Sequence, residues 1–203
     1  MKQNFIWINY DKEEYVNAME FDEPGDITGY LHNRGKCSNT VISLLAGRWI
    51  SNYLMLVGEK LPENAPDEHV SRLAKRFDNN EYQGNVWFGV QNEFLDISTL
   101  PSVRNPDVEG GYYRYVINFG KKEYYRRRSL KDRNVWFNPL TYLLIAAEGY
   151  TDDKAGCWLG DLVQVSNDRN FIRFLTRKEG FRNMTQIYTR EYFLGDGTVP
   201  NDL

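Results

Sequence analysis

Residues 8–15 read Ile-Asn-Tyr-Asp-Lys-Glu-Glu-Tyr, and residues 117–124 read Ile-Asn-Phe-Gly-Lys-Lys-Glu-Tyr, with five of eight positions identical. The same separation of 109 residues aligns Gly47-Arg48-Trp49-Ile50 with Gly156-Cys157-Trp158-Leu159, and Leu54 and Leu56 with Val163 and Val165. Two separated matches sharing one offset point to an internal repeat. In each match a β-prone run, a polar break and a second β-prone run follow one another, the pattern of a hairpin. Phe5 to Tyr10 and Glu14 to Val16 form the first, and Tyr113 to Phe119 with Tyr124-Tyr125 the second. The chain of 203 residues thus reads as two diverged copies, residues 1–100 and 112–203. Pro101, Pro106 and Gly110-Gly111 mark residues 101–111 as a linker. Two docked units and one continuous pseudo-symmetric domain both satisfy this pattern.

A helix and then a strand follow each hairpin. Ser38 or Asn39 is a candidate N-cap before Val41, Ile42, Leu44 and Leu45, and Asn138-Pro139 opens Leu140 to Ala147. Gly47 and Gly149 stand where those helices should stop. Trp49 to Val57 and Trp158 to Val165 then read as strands. Further on, Val70, Leu73, Ala74 and Phe77 recur at helical spacing over 67–77, with acidic residues first and Lys75 and Arg76 last. Asn85 to Ile97 and Gln186 to Leu194 suggest strands, and Phe171 to Thr176 a helix ending by Gly180. The expected class is α+β: two diverged copies of a hairpin–helix–strand unit, mostly antiparallel sheets with flanking helices.

Composition excludes several functions. Hydrophobic residues at 41% and aromatic residues at 15% provide a core, so the chain is not of the disordered type. Two cysteines, Cys37 and Cys157, and two histidines are too few for a disulfide scaffold or a dedicated transition-metal centre, and no metal or cofactor is implied. Neither a secretory leader nor an apolar run long enough to span a bilayer is evident, so cytoplasmic residence without membrane contact is the expectation. Cys37, beside Lys36 and five residues from His32, is the one nucleophile candidate, but a second partner is missing and a small buried residue is the simpler reading. His69 reads as solvent-exposed, and the clusters Gly110-Gly111 and Gly195-Asp196-Gly197 as turns.

The net charge of −3 hides a polarity. Over 11–26, Asp11, Glu13, Glu14, Glu20, Asp22, Glu23 and Asp26 against Lys12 give −6. Over 121–133, Lys121, Lys122, Arg126, Arg127, Arg128, Lys131 and Arg133 against Glu123 and Asp132 give +5. Tyr124, Tyr125, Trp136 and Phe137 accompany the basic stretch, a composition shared with surfaces that track phosphates and stack bases. The acidic residues Asp11, Glu13, Glu14, Asp22 and Glu23 and the group Lys121, Lys122, Tyr125, Arg126, Arg127 and Arg128 are the candidate partner-binding residues. Trp49, Trp158, Tyr15 and Tyr124 are the structural residues of the repeat.

The stretch Asn-x-Asp-Lys-x-Glu-Tyr at 9–15, with Gly-x-Trp at 47–49 and Gly-x-Trp-x-Gly-Asp at 156–161, resembles a group of small bacterial proteins with such a hairpin followed by a Gly-Arg-Trp-x-Gly-Asp strand. Ser51-Asn52 and Cys157 depart from that pattern. The resemblance implies a shared unit and no particular chemistry. Abundant tyrosine, tryptophan and arginine with segregated charge favour a protein-binding role. The leading expectation is a bacterial or phage immunity-type protein that neutralises a toxin or defence enzyme. The alternatives are binding or processing of a nucleotide-like ligand in a cleft between the copies, and nucleic-acid binding through 121–133.

Overall fold

The computed structural model describes residues 3–31, 35–63, 67–104, 113–127, 138–150 and 153–188. Strand β1 (Phe5–Asn9) is apolar on both sides because both of its faces are covered: Phe5 and Trp7 enter one core and Ile6 and Ile8 another. It pairs antiparallel with β2 (Glu14–Val16) and with β3 (Leu54–Gly58). Parallel partners close the sheet on each side: β4 (Leu95–Asp96) on β2, and β7 (Ile145–Ala146) on β3, giving the order β4-β2-β1-β3-β7. The second sheet, β8-β5-β6-β9, has β5 (Tyr115–Asn118) antiparallel to β6 (Glu123–Arg126) and β8 (Val163–Ser166), and β9 (Arg182–Asn183) parallel to β6.

The registers agree at the offset of 109 read from the sequence. Ile8 faces Tyr15 as Ile117 faces Tyr124, and Asn9 faces Glu14 and Leu54 as Asn118 faces Glu123 and Val163. Helices α1 (Ile27–Leu31), α2 (Lys36–Leu45), α5 (Pro101–Arg104) and α6 (Pro139–Leu143) contribute with both sheets to one large core. That core contains Trp7, Tyr30, Leu45, Trp49, Val116, Tyr125, Leu140 and Trp158, so side chains from both ends of the chain meet in it. On the other face of the first sheet, α3 (Glu68–Phe77) and α4 (Val86–Glu93) cover Ile6, Ile8, Tyr15, Met55 and Val57. On the other face of the second, α7 (Arg169–Lys178) covers Tyr115, Ile117 and Tyr124.

Helices and sheets with mostly antiparallel neighbours give the α+β class, but several elements differ from expectation. Helix α2 begins before Ser38 and Asn39, because the Glu23 carboxylate accepts from the Lys36 and Cys37 amides at 2.6 and 3.1 Å. Asn138 and Pro139 do open α6, with the Asn138 side chain accepting from Leu140. That helix ends at Leu143, since Ile145-Ala146 leaves it to pair with β3, and Gly149 lies in the turn beyond. Trp49 and Trp158 sit in turns rather than strands, and β3 and β8 start later, at Leu54 and Val163. Asn85 to Glu93 is helical, not extended: Asn85 caps it, and Val86, Gly89 and Val90 recur on one buried face. Residues 185–188 form a turn where a last strand was expected. His32, most of the linker, Arg128 with the rest of the basic stretch to Phe137, and the chain from 189 onward lie outside the described residues.

Candidate partner-binding site

Each hairpin is tied by the same set of bonds. The Asn9 side-chain oxygen accepts from the Lys12 amide at 3.0 Å, and Asn118 accepts from Lys121 at 2.8 Å. Their amide nitrogens donate to Asn52 at 3.1 Å and to Asp161 at 2.9 Å. These acceptors are again 109 residues apart, so Asn52 supplies the oxygen that the expected aspartate would. Glu13 and Lys122, the last loop residues, both take left-handed backbone, with φ of 50° and 53°. Asn9 and Asn118 are fully buried, and holding both ends of a buried amide fixes the loop relative to the tryptophan-bearing turn that precedes β3 or β8.

The first strand residue after each loop is a buried glutamate. Glu14 accepts from the Trp49 indole at 2.8 Å and from Arg48 at 2.9 and 2.5 Å. Burial opposes its charge, but the bonds from Arg48 and Trp49 outweigh it and hold the carboxyl below its ordinary value. Glu123 accepts from Tyr188 at 2.6 Å, from the Trp158 indole at 3.4 Å and from Arg182. Burial and that carboxylate push the Tyr188 hydroxyl far up, so it stays a donor. The Trp49 turn thus supplies Glu14 with both an indole donor and a cation, whereas the Trp158 turn supplies Glu123 with the indole alone and the cation comes from Arg182 in β9. Tyr15 and Tyr124 pack beneath α3–α4 and α7 respectively.

The candidate residues divide by burial. Asp11, Glu13 and Asp22 are exposed, as are Lys121 and Lys122. Asp11 also accepts from the Tyr53 amide at 2.7 Å, and Glu13 pairs with Arg76 at 2.5 Å, whose bond lowers its pKa. Lys122 donates to the Glu179 carbonyl at 3.2 Å. Glu14, Tyr125 and Arg127 are buried and present no face to a partner: Tyr125 lies in the large core and Arg127 donates to Asn39 at 3.2 Å. Burial lowers the Arg127 pKa despite the opposing influence of Tyr125. Glu23 caps α2, and Arg126 is half-buried. Apart from Asp22, which lies beyond β2, the exposed set is therefore the hairpin tips: Asp11, Lys12 and Glu13 at one, Gly120, Lys121 and Lys122 at the other. Gly120 is bare because a Cβ there would strike the Asp161 carboxylate.

Other reactive side chains have structural employment. Cys37 is fully buried and its thiol is pushed well up by burial, leaving little thiolate, and burial likewise raises Cys157 to about 11. His69 is not solvent-facing as expected: its ring packs 4.0 Å from Tyr53 and 5.2 Å from Tyr10, with Nδ1 3.2 Å from Asp67. Among the described residues no cluster of histidine, cysteine and carboxylate fit for a metal occurs, and no helix is long and apolar enough to cross a membrane. Comparison with protein-family profiles, curated proteins and solved structures finds no match to this chain.

The sequence alone does not single out Asn52, Asp161, Tyr188 or Arg182 as bracing residues. The identical Asn9 and Asn118 at the common offset were the available signal; nothing local announced Tyr188, which reaches Glu123 across 65 residues.

Proposed function

We propose that the chain is a protein-binding inhibitor of the immunity type, in which two descendants of one structural unit present differently charged tips to a toxin or defence enzyme in the cytoplasm. The observation that carries this reading is the division of labour within the two hairpins. Positions that brace the loop keep their chemistry, as in Asn9 and Asn118, Glu14 and Glu123, Trp49 and Trp158. Two of the three exposed positions change theirs, Asp11 against Gly120 and Glu13 against Lys122, while Lys12 and Lys121 agree. A rigid loop of fixed geometry with altered charge suits recognition, because complementary potentials speed encounter and reject wrong partners. A braced loop also loses little conformational freedom on binding.

The resemblance of the hairpin and Gly-x-Trp stretches to small bacterial proteins agrees with this setting. The test is affinity capture from the cells that make the protein, using the intact chain and a Lys121→Glu/Asp11→Lys variant. A single protein recovered in equimolar amount, inhibited in its own activity by the wild type and lost from the variant, is the expected result. Recovery of no protein, or recovery unchanged by the variant, overturns the proposal.

A further inference from the structure

Helices α3 and α7 start alike. Asp67 and Asp168 each accept from the amides two and three residues on, so position along the two helices can be counted from the cap. The third, sixth and tenth residues after Asp67 are Val70, Leu73 and Phe77, all 0% exposed. Alongside them runs α4, whose Val86 and Val90 join the same core and whose Gly89 sits so close that a Cβ would strike the Phe77 ring. An ion pair flanks this contact, Arg76 to Glu93 at 2.7 Å.

The corresponding residues after Asp168 are Phe171, Phe174 and Lys178, and here Phe171 is 36% and Phe174 51% exposed. Only three residues separate α7 from β9, where α3 and β4 are separated by a stretch that holds α4. Among the described residues the second sheet therefore has one covering helix where the first has two. Ile172 and Leu175 supply the sheet-facing side of α7, leaving the two phenylalanines outward. Arg169, Arg173 and Arg177 recur every fourth residue beside them, and Lys178 completes four cations with no acidic residue inside the helix. Among the described residues none of the four forms an ion pair. Arg177 stands at the position of Arg76, without a counterpart to Glu93.

We infer that the outer face of α7 is a docking surface for an amphipathic helix of another protein, one with an apolar stripe for Phe171 and Phe174 and carboxylates for Arg173 and Arg177. Charge and shape choose this occupant: Phe171 and Phe174 lie one turn apart on α7, flanked by Arg173 and Arg177 that have no carboxylate partner among the described residues, and an apolar stripe edged by carboxylates, as an amphipathic helix carries, matches both. The inference rests on the reading of the chain as protein-binding, and it names a surface separate from the hairpin tips.

The test uses the intact chain and a fluorescein-labelled synthetic helix of about four turns, with leucines on one face and glutamates on the other. A second peptide keeps the leucines and replaces the glutamates by lysine. Fluorescence anisotropy is expected to show saturable binding of the acidic peptide and none of the basic one. Phe171→Ser/Phe174→Ser and Arg173→Glu/Arg177→Glu should each weaken binding about tenfold or more, with melting temperatures near the wild type because these side chains are exposed. Lys121→Glu should leave peptide binding unchanged, so the α7 surface can fail while the hairpin tips succeed, or the reverse. Absence of binding, equal binding of both peptides, or indifference to the α7 variants overturns the inference. It is equally overturned if a single-stranded oligothymidylate binds the same residues more tightly than the acidic peptide. Concentration-dependent dimerisation abolished by Phe174→Ser would make a second copy the occupant and overturn it too.

Discussion

At Glu14 a carboxylate is 6% exposed yet keeps its charge, because Trp49 and Arg48 replace the water that burial removes. Glu13, one residue earlier, is paired with Arg76 in the open. The two should behave differently on neutralisation. Glu14→Gln is expected to cost about 1–3 kcal/mol at neutral pH, since it leaves the Trp49 and Arg48 donors with a poorer acceptor. Glu13→Gln should cost below about 1 kcal/mol. The folded pKa of Glu14 lies below the ordinary 4.5, so its ionised form stabilises the fold above that value and the contribution is lost as pH falls further, through the folded pKa. Urea unfolding of wild type and Glu14→Gln should therefore converge between neutral pH and strongly acidic pH. A difference that persists unchanged into acid would refute this role. The identity of Glu14 with Glu123 was legible in sequence, but its burial was not: a carboxylate in a run of −6 looks like part of a solvated face until its indole partner, 35 residues away, is in place.

Elements show where local pattern suffices and where it is overruled. The hairpins and α3 announce themselves, the former by repetition and the latter by an Asp cap with Val70, Leu73 and Phe77 on one face. The Gly-x-Trp turns do not, because an apolar run after glycine looks extended, whereas the indole is drawn into a turn by a carboxylate on another strand. Helix α4 was hidden for a related reason. Its Val-Trp-Phe-Gly-Val run is rich in β-prone residues and interrupted by glycine, but Gly89 is there to let the helix approach Phe77. Phe77 is wedged by Tyr82 and Phe94 at 5.4 and 6.3 Å and has no room to retreat. Gly89→Ala gains about 1 kcal/mol of helix propensity and loses about 1–3 kcal/mol to overpacking. The net expectation is a lower urea midpoint; a raised midpoint would mean that α4 does not press on Phe77 as described.

Across the whole molecule, two features join the ends of the chain. Strand β7, beyond residue 112, completes the sheet built by the first hundred residues, and Trp49 and Trp158 share one core. Unfolding should accordingly be a single transition, with coincident midpoints from far-ultraviolet circular dichroism and from fluorescence of variants that keep only Trp49 or only Trp158. Two separated midpoints would show that the halves fold independently. The overall polarity was legible as numbers along the chain, but only the fold sorts it. Glu14, Arg127 and Glu23 are spent on internal bonds, leaving a smaller set of exposed charges at the hairpin tips and an additional basic stripe on α7.

The central claim is that the hairpin tips recognise a protein. Its most direct test is titration calorimetry between the captured partner and the intact chain, compared with Asp11→Lys and Lys121→Glu. Because both side chains are exposed, the fold should survive, as unchanged melting would verify. Affinity should be at least about tenfold weaker for the variants, with the loss shrinking as salt rises. Equal affinity for wild type and both variants, with melting unchanged, would contradict it.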